Sequence, residues 1–160
     1  MSRITAGVLT ISDKCSRRER EDLSGTIIYD HLEDGGYDIQ KREIVPDDAA
    51  IISERLLKWC SDVNLIITTG GTGFSPRDVT PEATSTVIDR PAPGVAEMLR
   101  WTGYQRNPRA ILSRGVAGMK NQTLIINLPG SPKAVTEGLE VLLPMLPHAL
   151  ELMLGTSSDH

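Results

Sequence analysis

The sequence predicts a single doubly wound α/β domain with a mostly parallel sheet across residues 1–160, and three observations carry that expectation. Short aliphatic runs alternate with segments of helical spacing. Each run ends in a turn rich in glycine, proline or aspartate. No internal repeat, low-complexity tract or long linker breaks the alternation.

The first strand is the apolar run within residues 4–11, carrying Val8, Leu9 and Ile11 and closing in the polar turn Ser12-Asp13-Lys14. Leu23, Ile27, Ile28 and Leu32 recur at helical spacing, and Gly35-Gly36 stops that helix before a strand at residues 37–45. Pro46-Asp47-Asp48 then offers aspartate caps to a helix whose apolar face is Ile52, Leu56, Trp59 and Cys60. Asp48 is the cap if Asp47 points inward. The next strand, residues 63–69, contains Leu65-Ile66-Ile67, a continuous run suited to a central parallel strand buried on both faces.

That strand opens into Gly70-Gly71-Thr72-Gly73. Thr80-Pro81-Glu82 reads as N-cap, first helical position and acidic first turn of a helix reaching Asp89, which Pro91 and Pro93 break. Val95, Met98, Leu99 and Thr102 give another helix up to Gly103, and residues 110–117 carry no clear pattern. The strand at residues 123–128 ends in Pro129-Gly130-Ser131-Pro132, followed by helices through Val135, Leu139 and Leu142 and over residues 146–154. In such sheets ligands bind beyond the carboxyl ends of the strands.

Composition narrows the partners. A formal charge of −4 without a dominant basic cluster argues against a nucleic-acid surface. No apolar stretch approaches the roughly 18 residues of a membrane span, and no signal-peptide pattern opens the chain, so a cytoplasmic protein is expected. Cys15 and Cys60 form no C-x-x-C pair and have no metal-ligand spacing to His31, His148 or His160, so two free thiols are expected. The basic run from Lys14 to Arg20 reads as a solvated loop or as a flap over an anionic ligand.

Four segments follow predicted strands and are candidate walls of one pocket: Ser12-Asp13, Pro46-Asp47-Asp48, Gly70 through Asp78, and Asn127 through Ser131. A Gly-Gly-x-Gly turn lets backbone N–H groups approach phosphate oxygens without a Cβ in the way, although it can equally be a plain tight turn. It matches neither the P-loop nor the dinucleotide fingerprint. Asp78 can make an Asx-turn or, with Asp47 from the adjacent loop, hold a divalent cation on a triphosphate, the usual mode of Mg2+ binding. Pro129-Gly130-Ser131-Pro132-Lys133 lies at a helix start, where an anion is favoured and Ser131 can also simply cap. Arg77 and Arg114 can pair phosphates or acids. No G-x-S-x-G motif supports a nucleophilic triad. Two anion cradles with an acidic pair suit nucleotidyl or phosphoryl transfer, which depends on positioning and charge neutralisation.

The stretch Thr68–Ala83, TTGGTGFSPRDVTPEA, resembles the signature of the molybdopterin-binding MogA/MoaB family, and Leu124–Pro132, LIINLPGSP, resembles its second loop. The resemblance spans nearly the whole chain; the first motif is highly specific, and Pro-Gly-Ser-Pro alone is not. It implies a three-layer α/β/α domain assembled as a homotrimer. It also implies a Mg2+-dependent molybdopterin adenylyltransferase that moves AMP from ATP to the terminal phosphate of molybdopterin and releases pyrophosphate, ahead of a molybdenum-insertion protein. Carried over by motif, Asp47 and Asp78 are the catalytic and metal-binding carboxylates. Gly70, Gly71, Thr72 and Gly73 contact nucleotide or phosphate, and Ser12, Asp13, Asn127, Pro129, Gly130 and Ser131 seat the pterin. The chain lacks an insertion before the final helix present in some longer catalytic members, and over these 160 residues no fused metal-insertion domain is expected. Two alternatives remain on the same scaffold: a non-catalytic molybdopterin-binding protein and a nucleotide pyrophosphatase-like relative.

Overall fold

A computed structural model of the chain describes residues 3–157. Among the described residues six strands form one sheet in the order β2-β1-β3-β6-β5-β4. β1 (Thr5–Ile11), β2 (Asp38–Val45), β3 (Leu65–Thr69) and β6 (Thr123–Leu128) run parallel. β5 (Ala117–Lys120) and the two-residue β4 (Arg90–Pro91) continue the sheet to its far edge through antiparallel pairings.

Strand alternation builds the expected three layers. On one face Val8, Leu65, Ile67, Leu124, Ile126 and Leu128 pack against α2 (Leu23–Asp34), α6 (Pro132–Leu142) and α7 (Leu146–Leu154) through Ile28, Leu32, Val135, Leu139 and Leu150. On the other, Leu9, Ile11, Ile66 and Ile125 meet α3 (Ala49–Trp59) and α4 (Thr80–Ser85) through Ile52, Leu56, Trp59 and Ala83. All five residues of β3 are buried, as its continuous aliphatic run predicts for a central strand.

The alternation of strands and helices stops after the 3-10 turn Pro108–Leu112. There β5 and β6 form a hairpin, turned at Asn121 with φ 53°. Pro91, expected only to break a helix, lies in the edge strand, which needs no N–H from it because Asp89 and Ala92 donate to Met119 and Ala117. That pairing ties the N–H of residue 89 to the sheet edge, and α4 ends at Ser85 rather than Asp89. In contrast, α5 (Pro93–Arg106) runs past Gly103, whose missing Cβ makes room for Ala110; a Cβ there would stand 2.9 Å from the Ala110 methyl. Gly103 serves close packing rather than termination. Cys15 and Cys60 are free thiols, as expected.

Candidate functional site

The carboxyl ends of β1, β2, β3 and β6 bring the four predicted segments together. Gly70 (φ 98°) and Gly71 (φ 68°) hold the left-handed conformation that side chains disfavour. Space forbids side chains as well: a Cβ on Gly70 would fall 2.2 Å from the Ile11 carbonyl oxygen, and one on Gly71 2.3 Å from Thr80 Oγ1 and 3.1 Å from Asp47 Oδ1. The loop is wedged between the end of β1 and the start of α4.

Its carbonyls all face the protein. Thr80 donates through Oγ1 to Gly70 (2.9 Å) and through its N–H to Gly71 (3.1 Å), so Thr80 is a clasp on the loop and not the expected N-cap of α4. Val79 takes the cap position with no side-chain bond. Arg114 donates from its N–H to the Thr72 carbonyl (2.8 Å), from Nε to that of Gly73 (2.8 Å) and from Nη2 to that of Asp78 (2.9 Å) while pairing Glu82. With the carbonyls anchored, the N–H groups of Gly71, Thr72 and Gly73 have no protein acceptor among the described residues. Such a run of unpaired amides is an anion nest.

The second loop lies alongside: a Cβ on Gly130 would meet Gly70 Cα at 3.4 Å. Thr69 Oγ1 and Ser24 Oγ donate to the carbonyls of Pro129 (2.6 Å) and Gly130 (2.7 Å). Ser131 caps α6, accepting from the Ala134 N–H at 3.2 Å, which leaves its hydroxyl hydrogen available. The N–H groups of Gly130, Ser131 and Lys133 have no protein acceptor among the described residues, and the positive end of the α6 dipole lies behind them.

Two cavities of about 650 and 630 Å³ open on either side of these loops and share Gly71, Asp78, Gly130 and Ser131. The larger is walled by α5, the 3-10 turn and α6, with Leu99, Ala110 and Leu112 among its apolar residues and Arg100, Arg109 and Lys133 among its cations. The smaller is bounded by polar groups including Ser12, Arg20, Asp22 and Asp47. Asp78 stands at the seam between them.

Asp47 points inward and Asp48 caps α3, accepting from the Ile51 N–H at 3.1 Å. Burial pushes the Asp47 carboxyl above its ordinary value, the Asp13 N–H opposes this, and the negative charges of Asp13 and Asp78 push it further up. A cation there would relieve that crowding. Among the described residues no cluster of three or more His, Cys, Asp or Glu converges on one point. Two carboxylates with substrate phosphates completing the shell are nonetheless the donor set Mg2+ accepts.

Several residues take other positions than the sequence suggests. Asp13 lines neither cavity; its carboxylate receives a two-pronged bond from Arg77, which holds it below the ordinary carboxylate range together with the Asp47 N–H. Asn127 borders the larger cavity, but its amide is buried and turned into the core: Oδ1 accepts from the Val116 N–H (3.1 Å), and Nδ2 donates to Thr68 Oγ1 (3.0 Å) and Thr84 Oγ1 (3.1 Å). The basic segment forms the short α1 (Asp13–Ser16) and a turn in which Arg17 pairs Glu19 and Arg20 reaches Ser12 Oγ at 3.3 Å. Asp22 and Thr10, joined at 2.7 Å in the smaller cavity, were absent from the predicted walls. An aspartate immediately before the helical stripe is an N-cap signal, and Asp22 does accept from the Gly25 N–H.

Residues 7–148 match the model of a family described as a probable molybdopterin binding domain. A molybdopterin adenylyltransferase from Helicobacter pylori J99 is 44% identical over 161 residues, covering 97% of this chain and 90% of the relative. That of Escherichia coli K12 is 38% identical over 145 residues, covering 88% and 74%. The crystal structure of the molybdopterin biosynthesis enzyme MoaB from Thermus thermophilus superposes with a TM-score of 0.89 at 48% identity, over 95% of this chain and 97% of that one.

Proposed function

The chain belongs to this molybdopterin-binding family of molybdenum cofactor biosynthesis, and from that premise we propose that it is a molybdopterin adenylyltransferase. The observation that carries the reading is the seam: two cavities large enough for one small-molecule substrate each meet at two sets of unpaired N–H groups, with Asp78 between them and Asp47 beside it. One cavity takes ATP and the other molybdopterin, so that their phosphates meet over Gly70–Gly73 and Gly130–Ser131.

A phosphate oxygen of molybdopterin attacks the α-phosphorus of ATP in line. The new P–O bond forms as the bond to the β-phosphate oxygen breaks, and pyrophosphate leaves with that electron pair. The attacking phosphate is already largely anionic near pH 7, so no general base is required. Gly71, Thr72 and Gly73 on one side and Gly130 and Ser131 on the other orient the phosphates and stabilise their charge through fixed N–H groups. Asp47 and Asp78 would hold Mg2+, which supplies charge neutralisation on the polyphosphate.

Ser12, on the wall of the smaller cavity, is a contact for the ligand seated there, and Pro129 and Gly130 shape the pterin-side loop. We propose a homotrimeric assembly, which the exposed, mutually stacked Trp101 and Tyr104 support, and delivery of product to a molybdenum-insertion protein in the cytoplasm. Among the described residues no helix is long and apolar enough to cross a membrane.

Pyrophosphate release from ATP and Mg2+ in the presence of molybdopterin tests the reading. Release that depends on molybdopterin and disappears in Asp78→Asn is expected. Molybdopterin binding without release would identify a binding protein instead.

A further inference from the structure

We propose that Asp13 is a positioning residue that sets both carboxylates of the site, Asp47 directly and Asp78 through Arg77; this rests on the adenylyl-transfer reading above. Asp13 lines neither cavity, although Ser12 and Cys15 on either side of it line the smaller one. Its polar atoms face the protein. The Asp13 N–H donates to Asp47 Oδ2 (2.9 Å), and the Asp47 N–H donates back to Asp13 Oδ1 (3.0 Å). The first bond comes from the main chain of residue 13 and holds the Asp47 carboxylate; the second uses the Asp13 side chain and holds the Asp47 main chain from which that carboxylate projects. Asp47 Oδ1 is left beside Gly71, where a Cβ would stand only 3.1 Å from it.

The same Asp13 carboxylate accepts from Arg77 Nε and Nη2, both at 3.0 Å. A guanidinium gripping two oxygens fixes orientation as well as distance. Arg77 is the residue before Asp78, so the fork ties the irregular segment after the glycine loop to the end of β1. Asp78 Oδ2 in turn accepts from the Ser75 N–H at 3.1 Å. With the Arg77 side chain 65% exposed, the ion pair adds little to global stability. Its effect is geometric. Partners one step removed from a metal typically change affinity or activity by about 10–100-fold when lost.

The test uses the full chain as wild type, Asp13→Ala and Arg77→Ala. Hydrogen–deuterium exchange reads the tether without substrates, because the N–H groups of Ser75, Asp78 and Thr80 are bonded within this segment or to the loop. Exchange across residues 75–80 is expected to rise about tenfold in both variants, with β3 unchanged. In turnover, Asp13→Ala is expected to lose about 10–100-fold in kcat while KM for molybdopterin stays within about twofold. Arg77→Ala, which keeps the Asp13–Asp47 pair, should lose less. Wild-type exchange in both variants overturns the proposal, as does an Asp13→Ala defect confined to the molybdopterin KM. If Asp13→Ala does not fold, the exposed Arg77→Ala carries the exchange test alone. A wild-type protein that releases no pyrophosphate would instead remove the adenylyl-transfer reading, and the exchange result would still decide the tether.

Discussion

The Thr80 hydroxyl donates to the Gly70 carbonyl across 2.9 Å inside a fully buried contact, so the first residue of α4 holds the glycine loop closed from behind. Thr80→Val keeps the shape and removes the donor, stranding a buried carbonyl. The expected loss is about 1–3 kcal/mol of unfolding free energy, measured from urea midpoints.

Gly71→Ala tests the same contact from the other side. The substitution meets φ 68°, which costs an L residue about 1–2 kcal/mol, and pushes a methyl against Thr80 Oγ1 and toward Asp47 Oδ1. Lower stability together with lower turnover is expected; a variant with wild-type pyrophosphate release would show that the loop tolerates a displaced Asp47.

Asn127 should behave as a core residue. Asn127→Ala leaves the Val116 N–H without its side-chain acceptor and the Thr68 and Thr84 hydroxyls without their shared donor. A destabilisation of about 2–3 kcal/mol is expected, with molybdopterin KM nearly unchanged in the folded fraction. A selective KM defect at wild-type stability would place the amide on the ligand instead.

Acid should loosen the clamp at Arg114. The Arg114 guanidinium holds Glu82 below the ordinary carboxylate range, chiefly by hydrogen bonding. A depressed folded-state value means that this contribution is present above the ordinary Glu pKa, about 4.3, and is lost as pH falls through the lowered value. The thermal midpoints of wild type and Glu82→Gln should differ at pH 6 and converge toward pH 3, by a modest amount because the Glu82 side chain is 54% exposed.

The parallel strands β1, β3 and β6 were readable because each carries an aliphatic run suited to burial on both faces. The antiparallel edge was not. Ala117-Gly118-Met119-Lys120 has no clear period, and Arg90-Pro91 pairs only because its neighbours supply the N–H groups. At the site, the glycines, Asp47 and Asp78 stand out because each follows a strand end or sits in a loop whose residue types demand explanation. The roles of Thr80, Asp13 and Asn127 depend on partners 10 to 64 residues away. Local propensity cannot tell a threonine that caps a helix from one that clasps a loop, or an asparagine facing a ligand from one turned into the core.

The most direct measurement is mass-spectrometric detection of adenylylated molybdopterin after incubating the purified protein with molybdopterin, ATP and Mg2+, beside Asp47→Ala and Asp78→Ala. A catalytic role for both carboxylates requires product with the wild type and none with either variant, while both still bind molybdopterin. Wild-type product yield from both variants would contradict it.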